Sequence, residues 1–344
     1  MEPAETFDHG AHARRHRGGA LFEQLGIDLY PHPYLGFSLP PHHRSAALNT
    51  DGEGFRLSES PFGTVDSRGW LTAGGGGLVL GSSAALGFGS GSDGGTLASR
   101  LALRTGLRWH NLAVVAANSL QELIAAVPYL HAASTVVVFS GMGNYLSMMR
   151  TRSLDRLFPA VFYEGTFARL TNIPLFDLAE LATGMAASDA GIEIPPMPVP
   201  PEPRLGDAIA RVEAAARAQL RDLGFLAGAA RPGTRLLFCL QPLATHRTRA
   251  ITPEEQEHYD FTENVFGVPN GVLEDHLPLF AELLAQGCAE LGVDFLNVSA
   301  DRFTGRSFVT NGVLTEEGNA QAARMIHEAL GPGLFRTAVS RPCR

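Results

Sequence analysis

A serine becomes a nucleophile when a chain presents it on a sharp turn at the end of a buried strand. The stretch Leu78-Val79-Leu80-Gly81-Ser82-Ser83 has that form: a short apolar run that breaks into small residues. Acyl transfer or hydrolysis at Ser83 would need a general base within hydrogen-bond reach. His246 is the best-placed histidine. It follows Gln241-Pro242-Leu243 at the carboxyl end of an expected strand, on the same edge of the sheet as Ser83. His110 opens a strand and belongs to the opposite edge, while His276 and His327 fall within expected helices.

The elements that must hold Ser83 follow an alternating pattern. Apolar runs rich in Val and Leu predict strands at 78–81, 111–115, 135–140, 234–240 and 294–298. Helices are expected at 95–105, 120–130, 205–223, 276–291 and 315–330. This alternation predicts an α/β fold, a five-stranded parallel sheet in three layers. Residues 1–20 read as a disordered tail, and 21–75 as an irregular N-terminal extension packed on the core. The α/β domain is expected at 76–332. It carries a helical insertion at about 150–204, ending in the proline-rich run 194–203, and a tail at 333–344 follows it.

Composition narrows the chemistry. All 27 basic residues are arginine, so a lysine Schiff base and a P-loop lysine are impossible. Three scattered cysteines with no C-x-x-C pair argue against a disulfide framework and a thiolate metal site. No cofactor or metal is expected. A net charge of -8 disfavours a broad nucleic-acid surface, although Arg14, Arg15 and Arg17, or Arg247 and Arg249, could make a small one. No apolar run reaches the ~18 residues of a membrane span, and the first residues lack a signal-peptide core, so a cytoplasmic protein is expected. Gly89-Ser90-Gly91-Ser92-Asp93-Gly94 matches G-x-G-x-x-G but starts too far past the strand for a dinucleotide site, and reads as a flexible loop.

Gly81-Ser82-Ser83, with Gly87 four residues on, resembles the opening block of the SGNH (GDSL-like) hydrolases, as does 95–102. The resemblance places Ser83 on the nucleophile position, with Ser82 replacing the usual Asp or Gly. Residues 111–119 resemble the second block, where a glycine amide helps form the oxyanion hole and where this chain has Ala116. Residues 136–144 resemble the third block, with Gly143 in place of the oxyanion asparagine and Asn144 one position later. Asn144 could donate to the oxyanion or cap the following helix. The last block departs most. Leu314-Thr315-Glu316-Glu317-Gly318-Asn319 matches the flank of the Asp-x-x-His block, which puts Thr310 and Val313 on the Asp and His positions.

The resemblance thus implies a flavodoxin-like SGNH fold from which the usual base and its orienting acid are missing. Oxyanion stabilisation and binding alone retain roughly 10³–10⁴-fold acceleration. That suffices where the acyl donor is activated and the acceptor is a good nucleophile. Within the family the chain is similar to a degenerate branch of bacterial secondary metabolism, phenazine-inducer-like, that includes the valanimycin-pathway seryl-tRNA-dependent transferase. This likeness implies an acyltransferase of antibiotic biosynthesis. Its partners would be a small amine or hydroxylamine acceptor and an activated acyl donor such as an aminoacyl-tRNA. A catalytically silent binding protein and an esterase with His246 as relocated base are the alternatives.

Overall fold

The computed structural model describes residues 27, 29–150, 207–245, 248–253, 255, 256 and 268–331. The expected tails, the insertion at 150–204 beyond its first residue, His246 and Arg247 lie outside these residues. Ahead of the main sheet come two short antiparallel hairpins, β1 (Tyr30–His32) with β2 (Gly36–Ser38) and β3 (Ser58–Ser60) with β4 (Gly63–Val65), then helix α1 (Ser67–Thr72).

The main sheet holds β5 (Gly76–Gly81), β6 (Trp109–Asn111), β7 (Ala133–Ser140), β8 (Arg235–Leu240) and β9 (Asp294–Asn297). All four pairings are parallel, in the order β6-β5-β7-β8-β9. This is the order of flavodoxin-like folds, and the fold class is the expected one. The chain leaves β5 for one neighbour and returns on its other side. The crevice beyond the carboxyl ends of β5 and β7 is therefore the switch point where such folds bind ligands.

Alternate side chains along each strand feed two cores. Leu78, Leu80, Val136, Val138 and Phe238 face one. Its helices are α4 (Ser119–Ala126), α5 (Met142–Arg150), α6 (Ala208–Ala229) and α7 (Asn270–Leu291). Val79, Val137, Phe139 and Cys239 face the other. There they meet α2 (Ser83–Leu86), α3 (Leu97–Thr105) and α8 (Glu316–Leu330).

Several boundaries differ from expectation. The second strand begins earlier, at Trp109, and ends at Asn111. Residues 112–115 still run beside β5, but only Leu112 N–H to Val79 O and Val114 N–H to Gly81 O join them, because the chain is already turning toward Ala116. Helix α4 stops at Ala126, where Pro128 blocks continuation. Helix α7 starts six residues before His276 and accommodates Pro278 within its first turns. Helix α6 runs on to Ala229. The glycine loop is packed, not flexible. A side chain at Gly94 would meet Glu59 Oε2 at 2.6 Å, and one at Gly89 would meet the Leu314 carbonyl at 2.2 Å.

At the amino edge of the sheet, His110 is fully buried among Phe55, Trp70 and Tyr129. Ser67 Oγ lies 3.0 Å from its Nε2 and donates to Asp51 Oδ2 at 2.5 Å. Burial lowers the His110 pKa to about 4, against the pull of Asp51 and Asp66. This histidine ties the N-terminal segment to β6 and sits at the end of the sheet opposite Ser83.

Candidate active site

The site begins with backbone geometry. Gly81 has φ 149°, and a Cβ there would lie 2.3 Å from the Phe139 carbonyl and 2.6 Å from Ala85 Cβ. Only glycine lets β5 turn this tightly against β7. Ser82 follows in an extended conformation, and Ser83 opens the one-turn helix α2, which closes on Gly87 in the left-handed region. This helix was not expected from the sequence. Ser83 is half-buried, and among the described residues nothing hydrogen-bonds its hydroxyl or its N–H.

The opposing wall is the turn after β6. Val114 N–H donates to Gly81 O at 3.0 Å, which holds the turn that leads to Ala116 against the end of β5. Ala116 is buried and has φ 53°, the left-handed backbone that glycine adopts freely. Its N–H has no acceptor among the described residues. Among the described residues the amides of Ser83 and Ala116, which follow β5 and β6, are thus both without an acceptor. The strained alanine leads to a prediction. Ala116→Gly should stabilise the fold by about 1 kcal/mol by relieving the left-handed strain, read as a raised melting temperature. A lowered one would mean that the turn depends on the methyl group.

Asn144 faces the same region from the start of α5, but its carboxamide is engaged. Ser119 N–H donates to Asn144 Oδ1 at 2.9 Å, and Asn144 Nδ2 donates to Ser119 Oγ at 2.8 Å. Asn144 thus braces the first turn of α4, the helix that precedes its own. Gly143, which the resemblance sets on the oxyanion-asparagine position, packs directly on the turn that follows Ala116. A Cβ there would stand 2.3 Å from Ala117 O.

The Thr310–Val313 loop immediately precedes α8. Gly89 bridges Thr315 in parallel fashion, and Asn319 Nδ2 donates to Ser90 Oγ and Gly95 O, so the loop is tied to the segment that follows Ser83. Its other flank is held by Ala244 N–H donating to Asn311 O. Thr310 Oγ1 accepts from Val313 N–H at 3.2 Å, and Val313 is a partly buried apolar residue on the core. Neither can take a proton from an attacking group. The chain leaves β8 along this edge through Gln241, whose buried Oε1 has no partner among the described residues. Arg249, from the arginine pair considered for nucleic acid, is spent on Glu255 and Gly305 O.

Sequence reasoning missed Glu122. It is fully buried on α4, where Ser140 Oγ donates to its Oε1 at 2.6 Å and its Oε2 has no partner among the described residues. Burial, reinforced by Asp222 and opposed by Ser140, pushes the carboxyl from 4.5 up to about 8. Between those values the folded protein holds a proton that the unfolded chain has lost. The associated stability is therefore fully present below pH 4.5 and is lost as pH rises through about 8. Glu122→Gln should remove this loss, on the order of a few kcal/mol, so that wild type and variant diverge in melting temperature from pH 5 to 8. Parallel profiles would contradict the assignment. The one signal in the sequence was an acidic residue inside the apolar stretch Leu120-Gln121-Glu122-Leu123-Ile124.

No family model matches the chain, and no curated protein matches it. Solved structures similar to it include a candidate GDSL-like lipase from Bacteroides ovatus, at 11% identity and TM-score 0.36. That match covers 74% of this chain and 52% of the other, so the chain spans about half the length of that relative. An extracellular lipase from Streptomyces rimosus matches at 15% identity and TM-score 0.39, covering 74% of this chain and 99% of that one. Est24, a carbohydrate acetylesterase from Sinorhizobium meliloti, matches at 12% identity and TM-score 0.40, covering 74% and 97%. Among the described residues no group of His, Cys, Asp or Glu gathers as a metal site, and no helix is long and apolar enough to cross a membrane.

Proposed function

We propose that the chain is a degenerate SGNH-type acyltransferase. It binds an activated acyl donor with the reacting carbonyl oxygen toward the Ser83 and Ala116 amides. The acceptor is a small amine or hydroxylamine, which attacks without prior deprotonation. Nitrogen forms the new bond to the acyl carbon, the donor's oxygen leaves with the electron pair, and the nitrogen sheds its proton to solvent. Ser83 Oγ, unspent and half-buried, donates a hydrogen bond to the donor. An aminoacyl ester such as aminoacyl-tRNA is the donor class this chemistry suits, and biosynthesis of a nitrogen-containing antibiotic is the setting in which it would serve.

The observation that carries this reading is the pairing of the Ser83 and Ala116 amides, without an acceptor among the described residues, with a Thr310–Val313 loop that holds no titratable side chain. These features support a site able to bind an oxyanion, with no water-activating group among the described residues of that loop. The experiment offers activated aminoacyl and acyl esters to the purified chain, with and without hydroxylamine, alongside a fluorophosphonate probe. Product only with the acceptor, and no rapid labelling of Ser83, supports transfer. Absence of any turnover would leave a binding protein.

An esterase is the second reading, and one contact favours it. Ala244 N–H donates to Asn311 O, which holds the chain two residues before His246 against the Thr310–Val313 loop. Rapid fluorophosphonate labelling of Ser83 and release of free acid, both abolished in His246→Ala, would establish the esterase and overturn the transferase.

A further inference from the structure

The helix that begins at Ser83 is too short to hold itself. Four residues complete a single turn, and a single turn has none of the cooperativity that stabilises longer helices. Its last carbonyls have no intrahelical partners. Ser90 N–H donates to Gly87 O and Asn111 Nδ2 to Leu86 O, and a guanidinium from outside the main sheet adds to both. Arg56, only two residues before β3, donates from Nη1 to Gly87 O at 2.6 Å and Leu86 O at 3.4 Å. Its Nη2 donates to Ala47 O at 2.6 Å, Ser92 O at 3.0 Å and Ser90 O at 3.5 Å, and its Nε pairs with Asp93 Oδ1 at 2.9 Å. Asp93 is fixed in turn by Asn49, whose N–H and Nδ2 both donate to it. The Arg56 side chain is fully buried, and its bonds to Gly87 O, Leu86 O and Asp93 are buried with it.

We propose that Arg56 is a positioning residue for the reacting turn: by gripping the carbonyl end of α2 and the loop behind it, it fixes where the Ser83 amide and hydroxyl point. The N-terminal segment is then part of the working site and not only a cover for it. This rests on the reading of the Ser83 turn as the reacting site. Lysine keeps the charge beside Asp93 but cannot reproduce the planar fork that spans Gly87 O and Ala47 O.

The test compares Arg56→Lys and Asp93→Asn, in the full chain, with Arg235→Gln. Arg235 also binds carbonyls, of Ala329 and Leu330, but at the end of α8 beside β9. Transfer from an activated ester to hydroxylamine is measured well below each variant's melting temperature. The expected result is a kcat at least tenfold lower in Arg56→Lys with KM within twofold, a smaller fall in Asp93→Asn, and an unchanged kcat in Arg235→Gln at a similar loss of melting temperature. Unchanged kcat in folded Arg56→Lys would overturn the proposal, as would an equal fall in Arg235→Gln. If Arg56→Lys does not fold, Asp93→Asn decides alone by the same criterion. Amide exchange separates this failure from that of the site reading, because it needs no turnover. Faster exchange confined to the Leu86, Gly87, Phe88 and Ser90 amides supports the grip of Arg56 even in an inactive protein. Uniform acceleration along the chain would sink it.

Discussion

Thr310→Asp combined with Val313→His is expected to convert the site to a hydrolase. Thr310 Oγ1 already accepts the Val313 N–H, and a carboxylate at the same position can accept that bond while its second oxygen orients an imidazole. The loop is anchored on both flanks, by the Gly89–Thr315 bridge and by Ala244 N–H on Asn311 O. New side chains there would therefore emerge at the carboxyl edge that carries Ser83. A general base contributes about 10²–10⁴-fold. Free acid release from an activated ester should rise by that factor, and Ser83 should become a fast target for a fluorophosphonate. A folded double variant with wild-type hydrolysis would show that position 313 does not look onto Ser83.

The second large effect is on stability. Gly143→Asn introduces the residue type that the sequence resemblance implies at this position, yet it should destabilise the fold by about 3 kcal/mol or more and bring no gain in turnover. Its Cβ would stand 2.3 Å from the Ala117 carbonyl and 3.2 Å from Asn118 Cα, both backbone atoms of the turn that presents the Ala116 amide. Relief would require moving that turn or the start of α5. Thermal unfolding compared with wild type is the measurement. A neutral substitution would mean that the two elements separate easily, and that the close approach at Gly143 is not what shapes the crevice.

These two substitutions mark where sequence reasoning reached the site and where it stopped. The Leu78–Leu80 and Val136–Phe139 runs announced buried parallel strands because both faces are apolar, and the small residues after Leu80 announced a turn. Helix α2 was hidden because four residues show no periodicity. The left-handed backbone at Ala116 was hidden because alanine gives no warning of positive φ, as glycine would. Asn144 could be placed near the site, but its partner Ser119 lies on a different helix, and only the folded chain shows the carboxamide braced on it. Arg56 has no local signature, and Glu122 only that of an acidic residue in an apolar stretch. Their roles come from carbonyls and a hydroxyl supplied by distant segments, Gly87 and Ser140 among them. Propensity and motif spacing report on neighbours along the chain. Much of what holds this site was assembled across it.

On the proposed reading the crevice at Ser83 stabilises an acyl-transfer oxyanion, and no described residue beside it activates water. The most direct measurement follows both products, acylated acceptor and free acid, from an activated aminoacyl ester as the hydroxylamine concentration is raised. The predicted result is acylated product that rises with acceptor toward saturation, while free acid stays at the rate of the enzyme-free reaction throughout. Enzyme-dependent free acid in the absence of acceptor, lost in Ser83→Ala, would contradict the account and return the site to the esterases.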